Sequence, residues 1–128
     1  MKQIINTGSA PKPAGTYSQA IKAGNTVYIA GQIPMSPETM KIVGEGDFKK
    51  QLHQVFKNIS AIAEAAGGSL AHIVKLTVYV TDMNNQPAVS EVMQAYFKEP
   101  YPARAVVAVR ALPREVDVEV ESILVLGE

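Results

Sequence analysis

The chain has no cysteine, no surplus of charge of either sign and no long apolar run, and each gap excludes a class of function. Without cysteine there is no disulfide, no thiolate nucleophile and no Cys-ligated zinc or iron–sulfur centre. Twelve basic and twelve acidic side chains cancel. The basic excess that drives phosphate-backbone binding is therefore missing, and nucleic acid is not the expected partner. A local basic patch stays open, since net charge says nothing of distribution. No apolar stretch approaches the roughly 20 residues that cross a bilayer. The opening Met1-Lys2-Gln3-Ile4-Ile5-Asn6 does not read as a signal peptide. No membrane partner and a cytoplasmic setting are expected, and the missing cysteine fits the latter.

Several chemical signatures are absent too. There is no phosphate-binding glycine loop, no GxSxG elbow and no HExxH. His53 and His72 are the only histidines, and neither has a companion at metal-ligand spacing. Both read as structural or exposed. A serine-triad or zinc hydrolase is not expected, and no metal is.

What remains is an ordinary globular composition, 47% hydrophobic and 19% charged over 128 residues. We read residues 1–128 as a single domain, long enough to bury roughly two-thirds of the surface its unfolded form exposes. Segments Ser18 to Lys22 and Thr26 to Gln32 flank Ala23-Gly24-Asn25, a hairpin signal because Gly and Asn tolerate positive φ. Pro34 to Gly46 reads as a loop. Asp47 to Ala66 is the strongest helix: Phe48, Leu52, Val55, Phe56, Ile59, Ile62, Ala63 and Ala66 recur at spacings of three and four. Asp47 is its expected N-cap and Gly67-Gly68 its end.

Val74 to Val80 alternates Val74, Leu76, Val78 and Val80 against Lys75, Thr77 and Tyr79, a strand with one buried face. Gln86 to Phe97 reads as a second helix, with Asn84-Asn85 as capping candidates and Pro87 in its first turn. Pro100 and Pro102 stop it. Ala103 to Val109 and Val116 to Leu126 read as strands joined around Leu112-Pro113-Arg114-Glu115. Two helices on one face of a mostly antiparallel sheet make an α+β two-layer sandwich. The other face meets water or another subunit. Ala105, Val107 and Val109 alternate with Val106 and Ala108, so both faces of that strand are apolar, which points to a subunit contact. A central strand shielded by its neighbours is the alternative.

Few residues carry chemistry. Arg104 sits between two prolines and an apolar strand, where an unpaired guanidinium is costly and its planar fork suits a carboxylate. A structural pair or a solvated arginine is the plainer alternative. Asp117, Glu119 and Glu121 share one face of a valine-alternating strand. They are either a solvated row or include a carboxylate that holds water or moves a proton. If the last two strands pair as a hairpin, Arg104 comes within a few residues of Glu119 to Ser122. Tyr17 is a candidate apolar wall with a polar tip, or plain packing. Gly31, at a strand end, marks either a bulge or a close approach of backbone to ligand.

At these residues the sequence resembles the Rid (YjgF) family over nearly its whole length. The resemblance rests on Gly15-Thr16-Tyr17-Ser18-Gln19-Ala20, Ala30-Gly31-Gln32-Ile33-Pro34, Ala65-Ala66-Gly67-Gly68 and Ile73 through Met83. Pro102-Ala103-Arg104, Leu112-Pro113 and Val118-Glu119-Val120 complete it. It implies a chorismate-mutase-like fold and a homotrimer with ligand clefts between subunits. It also implies hydrolysis of reactive 2-imino or enamino acids, of the 2-aminoacrylate and 2-iminobutanoate type, to 2-oxo acids and ammonia. In that reading Arg104 binds the carboxylate, Glu119 orients water, Tyr17 is the aromatic wall, and backbone near Gly31 and Val106 completes the pocket. No cofactor is implied. The chain departs from the family at Thr16, where proline is common, and at Val106, where cysteine or threonine is. The rival readings are a non-catalytic protein that binds a 2-oxo acid or amino acid, and an endoribonuclease or translation inhibitor.

Overall fold

The computed structural model describes residues 1–127. Six strands are set out along the chain: β1 Lys2–Ile5, β2 Ala20–Ala23, β3 Thr26–Gln32, β4 Ile73–Val80, β5 Ala103–Ala108 and β6 Val118–Val125. Two α-helices join them, α1 Phe48–Ala65 and α2 Gln86–Met93. The strands lie in the order β1-β2-β3-β6-β4-β5. The α+β sandwich with two helices on one sheet face is the expected one.

Local chemistry sets most boundaries. The β2–β3 hairpin turns at Gly24, whose φ of 63° is open to glycine at no steric cost. Asp47 caps α1, its Oδ1 accepting from the Lys50 N–H at 3.1 Å. Gly67, at φ 95°, closes the other end while the Gly68 N–H donates back to the Ala63 carbonyl. Between them the stripe read from the sequence is buried: Leu52, Val55, Phe56, Ile59, Ile62 and Ala63 expose nothing. They pack on Val27, Leu76, Val78, Val118, Val120 and Leu124 of the sheet. Each of these side chains larger than alanine contributes roughly 1.5–3 kcal/mol. The cap is smaller, and Asp47→Ala should cost about 1 kcal/mol of unfolding free energy in urea denaturation. No loss would mean that water satisfies that N–H as well as the aspartate does.

The structure corrects the sequence reading in five places. First, β5 and β6 are not a hairpin. β4 lies between them, antiparallel to β6 and parallel to β5. Parallel neighbours need a crossover, which α2 supplies, and the long 109–117 connection then carries the chain back across β4. This makes β5 an edge strand, which removes the alternative of a shielded central one. Second, Val74 is exposed, because a bulge between Ile73 and Lys75 puts Ile73 on the buried face instead. Third, α2 ends at Met93, before either proline, and runs on only as a turn closed by the Phe97 N–H on the Met93 carbonyl. Fourth, no asparagine side chain caps it. Asp82 does the capping one turn earlier, accepting from the Asn84 N–H at the start of a short 3-10 turn. Fifth, Asp117 leaves the acidic row, since Gln51 of α1 binds both its carboxylate and its N–H. β1, which pairs with β2 at the far edge, was not read from the sequence.

The face away from the helices is uncovered in this chain. Tyr28, Val107 and Val125 stand exposed on or beside it, with Ile123 and Tyr79 half-buried among them.

Candidate functional site

The candidate residues fall into two groups on opposite faces of the sheet. Register decides this. Arg104 lies opposite Leu76, which is buried under the helices, so Arg104 points to the helix side. Its Nη1 donates to Ser90 Oγ at 3.0 Å and approaches the Met93 sulfur at 3.6 Å, both on α2. Ser90, Met93, Gln94, Tyr101 and Pro102 form a cavity of about 300 Å³ around it. Val106 lies two residues on, with its side chain packed partly on the core. Because β5 has a neighbour on one side only, half of its backbone groups face outward and can meet a ligand or another chain.

Glu119 lies opposite Tyr79, on the uncovered face. Its carboxylate presses on Gly31: a Cβ at that position would overlap Glu119 Oε2 and come within 3.0 Å of its Cδ. A bulge in the β3–β6 pairing between Ile29 and Gln32 brings Gly31 there. The bulge reading of Gly31 therefore applies, and the group that comes close to the glycine in this chain is Glu119. Burial raises the Glu119 carboxyl pKa above the usual carboxylate range, and the Glu121 carboxylate adds to the rise. Burial likewise pushes the Tyr79 hydroxyl up, with Glu121 and Glu119 contributing. Glu119 is thus half-buried, while Glu121 is exposed.

Next to Gly31 opens a cavity of about 400 Å³, within the size range of small-molecule sites. Pro11, Ala14, Tyr17, Ile33, Met35 and Pro113 give it apolar walls, and Lys12 and Arg114 are its charged members. The Tyr17 hydroxyl accepts from the Ala14 N–H at 3.1 Å, which folds the entry loop over the ring. Three buried amides fix the surrounding loops. Gln19 accepts from the Thr7 N–H and donates to the Thr7, Ala10 and Pro11 carbonyls. Asn58 donates to the Ile33 and Met35 carbonyls, and Gln51 to Gly44 and Asp117. Sequence reading gave none of these amides a role. A buried amide inside a helix is the signal that could have pointed to Asn58 and Gln51, because it must find partners outside the helix.

Tyr17, Gly31 and Glu119 thus come together within one chain, and Arg104 does not join them. Arg104 is level with Ser122 across β4, so it is three residues along and two strands over from Glu119. The backbone separation is about 14 Å, and the two side chains leave opposite faces. The histidines serve structure: His53 Nδ1 meets the Tyr96 hydroxyl at 2.9 Å, and His72 closes a capping box with Ser69. Among the described residues no group of His, Asp and Glu is placed to hold a metal, and no helix is long and apolar enough to cross a membrane.

The raised carboxyl of Glu119 has a consequence for stability. A carboxyl whose folded pKa lies above its unfolded value binds its proton more tightly when folded. Its favourable contribution is therefore complete below about pH 4.3 and is lost as pH rises through the folded value. Glu119→Gln should accordingly raise the melting temperature at pH 7, with a gain that shrinks on acidification and vanishes near pH 4. Thermal melts across that range check this, and a pH-independent change would mean that the carboxyl is not strained by its setting.

Comparison with known proteins gives concordant results. A family profile described as Endoribonuclease L-PSP matches residues 7–126. A RutC family protein of Pyrococcus horikoshii is 54% identical over 123 residues, covering 96% of this chain and 97% of the relative. A 2-iminobutanoate/2-iminopropanoate deaminase of Dermatophagoides farinae is 42% identical over 125 residues, covering 98% and 97%. The crystal structure of RidA from the Antarctic bacterium Psychrobacter superposes with a TM-score of 0.93 at 54% identity, covering 97% of this chain and 99% of that one.

Proposed function

The chain belongs to the Rid family, the group matched by the Endoribonuclease L-PSP profile, and from that premise we propose that it hydrolyses 2-imino acids to 2-oxo acids and ammonia. The observation that carries this reading is the half-buried Glu119 carboxylate held against Gly31 beside a small-molecule cavity. The deaminase among its relatives supports it.

The reaction needs little from the protein. The C=N carbon of an imino acid is already electrophilic, so the protein must hold the carboxylate, aim a water at C2 and deliver a proton to nitrogen. Glu119, whose carboxyl is raised above the usual carboxylate range by burial and by the Glu121 charge, suits the water and proton steps. Water adds to C2 as the carboxylate takes its proton. That proton passes to the nitrogen and leaves a 2-amino-2-hydroxy acid. Glu119 then takes the hydroxyl proton and hands it to the amine, so that ammonia leaves as the C–N bond breaks and the C=O bond of the 2-oxo acid forms. Tyr17 walls the cavity, and the missing side chain at Gly31 leaves the Glu119 carboxylate room to lie against the backbone there.

Arg104 is the carboxylate clamp in this reading. Its distance from Glu119 within one chain means that the clamp comes from a second copy, as the homotrimer with intersubunit clefts implies. The apolar residues of the uncovered sheet face and the edge position of β5 are consistent with such an assembly. 2-Aminoacrylate, an enamine that tautomerises to its imine before water adds, and 2-iminobutanoate are the proposed substrates.

The test generates a 2-imino acid in situ with an amino-acid oxidase and follows its capture by semicarbazide. The protein should speed loss of the imine and reduce the semicarbazone formed. No acceleration with several side chains would move the reading to a protein that binds 2-oxo or amino acids without turnover, which calorimetry with 2-oxobutanoate would detect.

A further inference from the structure

We propose that Arg114, with Lys12 across the cavity, makes the site favour imino acids whose side chain itself ends in a carboxylate. This rests on the deaminase reading above and adds the substrate class to it.

The cavity that contains Gly31 and Tyr17 is lined by two cations and by no acid. Both are exposed at its surface while the walls behind them are apolar. Among the described residues the ion pair is Lys49 with Glu91, on the helices, so Arg114 and Lys12 have no carboxylate partner. Glu45, Glu115 and Asp117 border a neighbouring cleft that Arg114 also touches. Glu45 and Glu115 are solvent-exposed, and the Asp117 carboxylate is taken by Gln51.

The backbone at Arg114 is the second observation. Arg114 has φ 60° and ψ 18°, and Glu115 follows at φ 58°. Two consecutive non-glycine residues in the left-handed region are disfavoured and persist only where the surroundings impose them. Here they do: Pro113 precedes, Val116 is buried, and the Asp117 N–H is held by Gln51 Oε1 at 2.9 Å. The result is a fixed backbone that delivers an unpaired guanidinium to the cavity wall.

The geometry sets the order of groups on the substrate. In the proposed pose C2 lies at Gly31, which lines the cavity and carries the Glu119 carboxylate against it from outside the lining. A side chain leaving C2 runs along the apolar wall toward Arg114. A carboxylate there meets a planar fork of donors, whose paired bonds are stronger and more directional than those of an ammonium group. A short alkyl side chain leaves Arg114 in water and gains nothing from it.

The test compares two imines made in situ, 2-iminoglutarate from glutamate with glutamate oxidase and 2-iminobutanoate with an L-amino-acid oxidase. Wild type should show the higher kcat/KM with 2-iminoglutarate. Arg114→Ala should lower that value at least about tenfold more than it lowers the value for 2-iminobutanoate, chiefly through KM. Arg114→Lys should restore part of the ratio. Equal losses on both imines would make Arg114 a general anchor and overturn the proposal, as would an unchanged ratio. Turnover of 2-iminobutanoate with none of 2-iminoglutarate would overturn it and leave the deaminase reading intact. Turnover of neither would remove both.

Discussion

Arg104→Ala is expected to lower kcat/KM for a 2-imino acid by about 100-fold or more, while the protein stays folded and its oligomeric state is unchanged. Truncating one partner of a hydrogen-bonded charge pair at an interface costs about 2–5 kcal/mol, and each 1.36 kcal/mol is a factor of ten in rate. The fold should survive because Arg104 is exposed on an edge strand and its polar contacts among the described residues are with Ser90 and Met93. Arg104→Lys should recover only part of the loss, since an ammonium keeps the charge without the two-pronged geometry. Steady-state kinetics on imines generated in situ, with circular dichroism and size-exclusion chromatography alongside, measures all of this. Full activity in Arg104→Ala would take the clamp out of the mechanism.

Gly31→Ala should do comparable damage by a different route. The added methyl would occupy the space of Glu119 Oε2, so the carboxylate must swing away from its place beside the cavity. Displacing a catalytic group by about 1 Å can cost on the order of 100-fold in rate. Stability should hardly change, because the atom displaced is the end of a flexible side chain and the φ of Gly31 lies outside the positive region that strains alanine. A crystal structure of the variant should show Glu119 in a new rotamer. A variant that loses stability but keeps its activity would make Gly31 a packing glycine and Glu119 a bystander.

Much of this architecture is legible in the sequence, for reasons specific to each element. The α1 stripe repeats for five turns and is bounded by Asp47 and Gly67, so periodicity and caps agree. The β2–β3 hairpin announces itself in Gly24-Asn25. What escaped is what depends on long-range pairing. Leu112-Pro113-Arg114-Glu115 looks like a turn between neighbours, yet β4 had already taken the place beside β6. Nothing local to residues 103–126 records that. The bulge that exposes Val74 is likewise set by the pairing of β4 with β6 and not by Val74 itself.

The candidate site divides in the same way. Tyr17, Gly31 and Glu119 were picked out separately, and the fold gathers them because β3 and β6 are neighbours. Arg104 stands out in the sequence as a guanidinium at the mouth of an apolar strand, and a β5–β6 hairpin would bring it near Glu119. The observed order sends it to the opposite face, and so the proposed chemistry takes Arg104 from a second copy of the chain. Arg114, read only as part of a turn, became visible once the backbone showed its left-handed conformation.

Subunit complementation tests this account most directly. Arg104→Ala and Glu119→Gln chains are each purified, mixed in equal amounts, unfolded and refolded together, and assayed against the separate variants. If a working site takes Arg104 from one copy and Glu119 from the next, about a quarter of the sites in randomly mixed symmetric oligomers are intact. Deaminase activity should then return to about that fraction of wild type, although neither variant alone is active. Mixed oligomers that form but remain as inactive as their parents would contradict a shared site.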